Sequence, residues 1–195
     1  MTLQSFLNSR NFYEFEGYCH NKNQIKDLIF LTSKPSINVM EIGFNAGHSA
    51  EIFLENNKNL KLTSFDLGKY DYTSIGKQYL DLTYPNRHTL ILGDSTLTVP
   101  DYIKNNHTKF DVIFIDGGHD YNIANADLEN CFQLAHRDTI VILDDTMYSP
   151  EWKHFWNDGP TKAWTECLFN NKITQIDKKD YQSGIGMSWG KFNLD

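Results

Sequence analysis

Cysteine is scarce. Cys19, Cys131 and Cys167 are the only three, odd in number and far apart. No C-x-x-C pair exists, which excludes a zinc ribbon or a disulfide scaffold and fits a reducing compartment. No apolar run approaches the roughly 20 residues of a membrane span. The start, Met1 to Arg10, is polar and lacks the apolar stretch of a secretory signal. These absences lead us to expect a cytoplasmic protein with no membrane partner. Basic residues are in deficit, with 18 Lys plus Arg against 25 Asp plus Glu and a net charge of −7. Binding to phosphate backbones draws mainly on Lys and Arg, so no nucleic acid partner is expected beyond what a local basic patch would hold. Repeats, low-complexity tracts and linkers are also missing. The 195 residues therefore read as one domain, 1–195, long enough to bury a core without disulfides or a structural metal.

What is present is a series of short apolar runs. Ile37 to Ile42, Leu60 to Leu67, Thr89 to Leu92, Phe110 to Ile115 and Thr139 to Leu143 are nearly continuous in apolar residues. Such runs read as buried parallel strands. Helical spacing fits Asn23 to Thr32, His48 to Asn56, Ser74 to Tyr84 and Tyr121 to His136. Alternating strands and helices imply an α/β, doubly wound sheet. The last fifty residues add an aromatic segment with Trp152, Phe155, Trp156 and Trp164. A short helix after Pro160, over Thr161 to Phe169, follows. Lys172 to Ile176 and Gly184 to Trp189 read as two closing strands, with turn chemistry between them over Tyr181 to Gly186.

Chemistry-bearing residues collect at the strand ends. The first strand runs into Glu41-Ile-Gly43-Phe-Asn45-Ala-Gly47-His48-Ser49. Glycines there allow a tight turn and close backbone approach to a ligand, and the next helix offers free N–H groups. The pattern is neither G-x-G-x-x-G nor a phosphate loop. An acidic residue before the loop suits a ligand carrying an ammonium group. The alternative is an ordinary strand-to-helix turn. Asp66 ends the second strand, where doubly wound folds hold ribose hydroxyls, or it is a solvated loop carboxylate. Gly93-Asp94-Ser95 ends the third strand, where a nucleoside base would lie. Asp116-Gly-Gly-His119-Asp120-Tyr121 follows the fourth, and Asp144-Asp145 the fifth. Three carboxylates at adjacent strand ends repel one another unless a cation is present, and oxygen ligands favour Mg²⁺, Mn²⁺ or Ca²⁺. The alternative is that one or two of them cap helices or turns.

Taken in order, these motifs resemble class I S-adenosylmethionine-dependent methyltransferases. The resemblance covers about Glu14 to Trp189. It is nearest to the macrolide sugar O-methyltransferase group, with catechol O-methyltransferase-like enzymes more distant. Glu16-Gly17-Tyr18-Cys19 resembles that group's E-G-W-C segment. Glu41 to Ser49 resembles its E-x-G-x-x-x-G-x-S loop, Phe114 to Tyr121 its D-G-x-H-x-Y signature, and Leu143 to Asp145 its L-D-D. The resemblance implies a Rossmann-like methyltransferase fold, a mostly parallel seven-stranded sheet with an antiparallel C-terminal strand. It implies S-adenosylmethionine as cofactor. Glu16, Glu41, Gly43, Asn45, Gly47 and Ser49 would serve the methionine part, Asp66 the ribose, and Asp94 and Ser95 the adenine. Asp116, Asp144 and Asp145 would bind the metal, and Asp116 would border the cofactor as well. The wider superfamily often has glycine where Asn45 stands.

A hydroxyl acceptor must lose a proton during methyl transfer. A metal on that oxygen lowers its pKa, and a histidine poised near neutrality accepts the proton. His119, in the place of the catechol-type lysine, is the expected base, with Asp116 beside it; the alternative is a histidine that only supports the metal or starts a helix. The expected acceptor is a small hydroxylated molecule, a sugar or a diol. A fold that binds without turnover, or a methyltransferase with a macromolecular acceptor, stays open. His20, His88, His107, His136 and His154 are expected at the surface, and the cysteines in the core. The Met147 to Trp164 segment is either a substrate lid or packing beneath a loop. Sugar-modifying relatives often form homo-oligomers, and the segment before Phe15 is available to pack on a partner subunit.

Overall fold

The computed structural model describes residues 1–17, 19–35 and 37–194, so Tyr18 of the E-G-Y-C segment lies outside the described residues. The strands are β1 Asn38–Ile42, β2 Lys61–Asp66, β3 His88–Leu92, β4 Phe110–Ile115, β5 Ala135–Asp144, β6 Ile173–Gln182 and β7 Ile185–Phe192. They form one sheet in the order β3-β2-β1-β4-β5-β7-β6. Neighbours from β3 through β5 pair in parallel, and β7 runs antiparallel to both β5 and β6. The helices are α1 Leu3–Asn8, α2 Lys22–Leu31, α3 His48–Asn56, α4 Asp71–Thr83, α5 Ser95–Asn105, α6 Tyr121–Phe132 and α7 Asp158–Phe169.

Strand alternation divides the apolar residues between two cores. Val39, Leu62, Phe114 and Ile142 pack on one face with Leu28, Phe53 and Leu80 from α2, α3 and α4. Met40, Phe65, Ile113 and Val141 pack on the other with Val99, Leu128 and Trp164 from α5, α6 and α7. Both faces are thus covered, which is why the central strands read as continuous apolar runs. Among the described residues no helix is long and apolar enough to cross a membrane.

Several boundaries differ from the sequence expectation. The helix expected to reach His136 stops at Phe132. The Leu134 carbonyl accepts from the Phe110 N–H, and Ala135 pairs with Phe110, so β5 begins early with a register shift before Val112. Helix α5 has no counterpart in the expectation because Pro100 lies inside it. Proline removes one helical hydrogen bond; the Asp94 side chain, accepting from the Thr96 N–H at 2.9 Å, secures the start instead. β6 runs on through the charged stretch to Gln182, an edge strand whose lysines obscure its pattern. The hairpin turn is therefore confined to residues 183–184.

The first helix packs on its own chain, and one further expectation is corrected. Leu3 and Leu7 of α1 are fully buried. The Leu3 N–H donates to Glu51 at 2.9 Å, and the Tyr79 hydroxyl donates to the Met1 carbonyl at 3.0 Å. His88 is not at the surface but buried, stacked on Phe44 at 5.0 Å, with Nε2 3.0 Å from the Ser64 hydroxyl. As the first residue of β3 it faces the protein interior, which a polar sequence context conceals.

Leu7→Ala is expected to cost about 3 kcal/mol of unfolding free energy, the usual range for emptying a fully buried leucine site. Urea denaturation measures it. A loss below about 0.5 kcal/mol would mean that α1 is not part of the core.

Candidate active site

Register builds the site. Ile42 pairs with Ile115, and Ile115 with Leu143. The next residue on each strand, Gly43, Asp116 and Asp144, therefore emerges on one line at the carboxyl edge. The Asp116 N–H donates to the Ile42 carbonyl, and the Gly43 N–H to the Phe65 carbonyl, both at 2.8 Å. Strand order reverses between β1 and β4, where doubly wound sheets bind ligands. Gly43 has φ +98°, and a Cβ there would fall 1.8 Å from the Asp116 carbonyl oxygen. No side chain fits, so this glycine lets the two loops meet backbone to backbone.

The loop after β1 is tied down on every side. Asn45 takes φ +53°, a left-handed conformation that asparagine tolerates. Its N–H donates to Asp66 Oδ2 at 2.7 Å. Its Nδ2 donates to the Glu16 carbonyl and, at 2.8 Å, to the Gly17 carbonyl. The Glu16 carboxylate accepts from the Tyr70 hydroxyl. Asn45 Oδ1 is buried with no hydrogen-bond partner among the described residues. An orphaned acceptor in this loop fits a ligand that brings an ammonium donor. Asp66 also accepts from the Gly68 N–H at 2.7 Å.

Glu41 lies deeper than the loop it precedes. It is fully buried and accepts from the Ser49 hydroxyl at 2.5 Å and the Ser64 hydroxyl at 2.6 Å. Burial pushes its pKa up to about 7 against the opposing pull of those two bonds. Ser49 is turned to Glu41, so both brace the start of α3. Asp94 caps α5 and is held ionised by its bonds to Thr96; Ser95 is half-buried beside it.

The acidic cluster forms between β4 and β5. Ligand atoms of Asp116, His119 and Asp145 all lie within 4.8 Å of one another. His119 Nε2 is 2.8 Å from Asp145 Oδ2. Asp145 takes φ +57°, which turns its side chain off the strand line. Asp144 lines the same small cavity, outside that group of three, and Gln24 Nε2 donates to its two carboxylate oxygens at 2.8 and 2.9 Å. Burial, and then the Asp145 charge, raises the Asp116 pKa to about 8. Burial followed by Asp116 and Asp145 raises that of Asp144. The bond to Asp145 raises that of His119. Carboxylates gathered in a largely buried pocket, with their charge so poorly accommodated, fit a hard divalent cation.

A family profile described as a methyltransferase domain matches residues 40–146, more than half of the chain. The chain belongs to that methyltransferase family. Its fold is the S-adenosylmethionine-dependent methyltransferase fold. An O-methyltransferase from Bacillus cereus in complex with SAH superposes with a TM-score of 0.78, at 16% identity, covering 96% of this chain and 89% of that one. The O-methyltransferase TomG from Streptomyces achromogenes, in complex with SAM, gives 0.74 at 12%, covering 97% and 87%. A TDP-rhamnose 3'-O-methyltransferase of calicheamicin biosynthesis gives 0.65 at 20%, covering 89% and 81%. No curated protein matches by sequence.

The candidate site also contains residues that sequence reasoning missed. Gln24 is one. Asn157 is another: it is buried, and its Nδ2 donates to the Asp145 carbonyl at 2.9 Å. Gly159 starts α7 so close to the His119 loop that a Cβ would sit 2.1 Å from the His119 carbonyl. Asp127 lies buried beneath Gly117, 3.1 Å from where a Cβ there would be, and burial lifts its pKa to about 7. Only its place on the inner face of a helix could have signalled it. The aromatic segment divides: Trp164 is core, whereas Phe155 is 83% exposed. His154 stacks on Trp156 at 4.3 Å, and its Nε2 is 2.8 Å from the Ser183 hydroxyl. Cys131 and Cys167 are buried as expected, while Cys19 is half-buried at the edge of this site.

The acid cluster sets a pH dependence. Groups with raised pKa values bind protons more tightly folded than unfolded, so their contribution is lost as pH rises through the folded value. Asp116, Asp144 and His119 all act this way. His48 and His88, lowered by burial to about 4 and about 3, act oppositely but only below about pH 6.5. Between about pH 7 and pH 8.5, in chelator, stability should fall by up to ~1.4 kcal/mol per pH unit for each titrating group. Denaturant titrations at the two pH values measure this. Asp116→Asn should flatten the slope, and an unchanged slope in that variant would refute the assignment.

Proposed function

We propose that the protein is a single-domain S-adenosylmethionine-dependent O-methyltransferase, assisted by a divalent cation of the Mg²⁺ type. Its acceptor in this reading is a small hydroxylated molecule, a sugar or vicinal diol. The observation that carries it is the convergence of the His119–Asp145 pair, at 2.8 Å, with Asp116 and Asp144 beside the Gly43 loop. The methyltransferase family match and the O-methyltransferase neighbours support it. So does the neighbour that bears the name of a sugar methyltransferase. The net charge of −7 disfavours a nucleic acid acceptor. Three unpaired cysteines support a cytoplasmic setting.

S-adenosylmethionine, when bound, supplies an electrophilic methyl group on a sulfonium. A divalent cation, when bound, lowers the pKa of the hydroxyl it touches. Gly43, Asn45 and Gly47 line the methionine part, with Glu16 and Asn45 closing over it. Glu41 acts through Ser49 by fixing the loop. Asp66 accepts from the ribose hydroxyls, and Asp94 and Ser95 border the adenine. Asp116, Asp144 and Asp145 would hold the cation. Transfer is an in-line displacement, so orienting the acceptor oxygen against the methyl group supplies much of the rate. With Nε2 donating to Asp145 Oδ2, the other ring nitrogen of His119, Nδ1, would accept the hydroxyl proton as the acceptor O–C bond forms and the methyl–sulfonium bond breaks. Asp145, bonded to Nε2, steadies the charge that His119 gains. Trp152 and Phe155, both exposed, offer apolar faces to an acceptor ring.

Transfer of labelled methyl from S-adenosylmethionine to catechol and to a nucleotide-linked deoxysugar, with Mg²⁺ or with chelator, tests this. Product should form only with Mg²⁺. His119→Ala should lower kcat by about 10²–10⁴-fold and leave calorimetric cofactor affinity intact. Asp144→Ala should remove the Mg²⁺-dependent activity without weakening the cofactor. No cofactor binding in either condition would overturn the proposal.

A further inference from the structure

Helix α2 belongs neither to the glycine loop nor to the strand ends, yet it sends one side chain into the carboxylate cluster. Gln24 is 3% exposed. Its Nε2 meets both oxygens of Asp144, at 2.8 and 2.9 Å. Its Oε1 accepts from the Cys19 thiol at 3.6 Å. The carboxylate fixes which end of the amide faces it, since only the NH₂ end can donate to Asp144, and the thiol contact agrees. The helix carrying it is anchored as well. Asn21 caps it and donates to Gln182 at 3.0 Å, while Lys179 and Tyr181 of β6 hold Asp27 at 2.9 and 2.7 Å.

We propose that Gln24 is a positioning residue of the cation site: its amide clamps Asp144 at the wall of the cavity that Asp116, His119 and Asp145 share. The inference rests on the cation-assisted reading above. A neutral amide suits this task. It steadies a carboxylate without cancelling the negative charge that attracts the ion, and without adding a fourth carboxylate to repel the others. It consumes one lone pair on each oxygen and leaves the rest for coordination. Side chains that orient metal ligands in this way typically change metal affinity by about 10–100-fold when removed.

The test uses Mn²⁺ as the probe on the full chain, with free Mn²⁺ read by electron paramagnetic resonance. Gln24→Met keeps the length of the side chain and removes the donor. It should weaken Mn²⁺ binding by about 10–100-fold, with calorimetric S-adenosylmethionine affinity unchanged. If that variant does not fold by circular dichroism, Gln24→Ala serves for the same comparison. Equal Mn²⁺ affinity in a folded variant overturns the role of Gln24. Failure of the unsubstituted protein to bind Mn²⁺ overturns the cation reading and this inference with it. Intact cofactor binding in that case leaves the methyltransferase reading standing.

Discussion

Parallel register brings carboxylates together at the ends of β4 and β5, and the site is organised around that repulsion. Two like charges about 4–5 Å apart repel by roughly 3–4 kcal/mol at an effective dielectric near 20. A single buried leucine or phenylalanine contributes about 1.5–3 kcal/mol. One carboxylate pair thus offsets one or two core side chains, and the doubly covered sheet has many of those to set against it. The repulsion is met locally by three devices: the imidazole of His119 against Asp145, the amide of Gln24 against Asp144, and a pKa raised by burial at Asp116. None of the three neutralises the cluster as a whole, which is the electrostatic basis of the proposed cation site.

The strand frame was readable because its physics is local. A buried parallel strand is a short apolar run, and the residue after it points to the ligand edge. Gly43, Asp66, Asp116 and Asp144 could be placed on that edge from β-branched runs alone. Helix α5 was not readable, because Pro100 argues against a helix and the cap that rescues it is a single aspartate. Helix α1 hides its leucines among polar residues at i and i+4, too few for a periodic signal. His88 looked like a surface residue because its partners, Phe44 and Ser64, lie far away in sequence.

The same distinction separates the parts of the site. Motif residues sit where the chain leaves a strand, and their roles follow from position. Gln24 and Asn157 act across long sequence separations, and each looks like an ordinary polar residue in its own segment. Gln24 in particular stands beside Lys22, Asn23 and Lys26, all exposed, where nothing marks its amide as buried. Glu41 shows the converse. Its position before the glycine loop suggested direct contact with a ligand. The structure gives both of its oxygens to serines, so its influence reaches the loop through Ser49 and α3.

The His119 loop is held from two directions by backbone approach rather than by side chains. On one side Gly43 admits the Asp116 carbonyl where a Cβ would overlap it; on the other Gly159 brings the start of α7 against the His119 carbonyl and the Tyr121 N–H. Backbone contacts of this kind have few alternative arrangements, unlike side chains, which can change rotamer. Asn157, two residues before Gly159, ties the same segment to the Asp145 carbonyl. Both members of the His119–Asp145 pair are therefore fixed by one stretch of chain, the stretch that also carries the exposed aromatic Phe155. Under the proposed mechanism, which draws its rate from orientation, His119 and the exposed aromatic face would share one reference frame through Asn157 and Gly159.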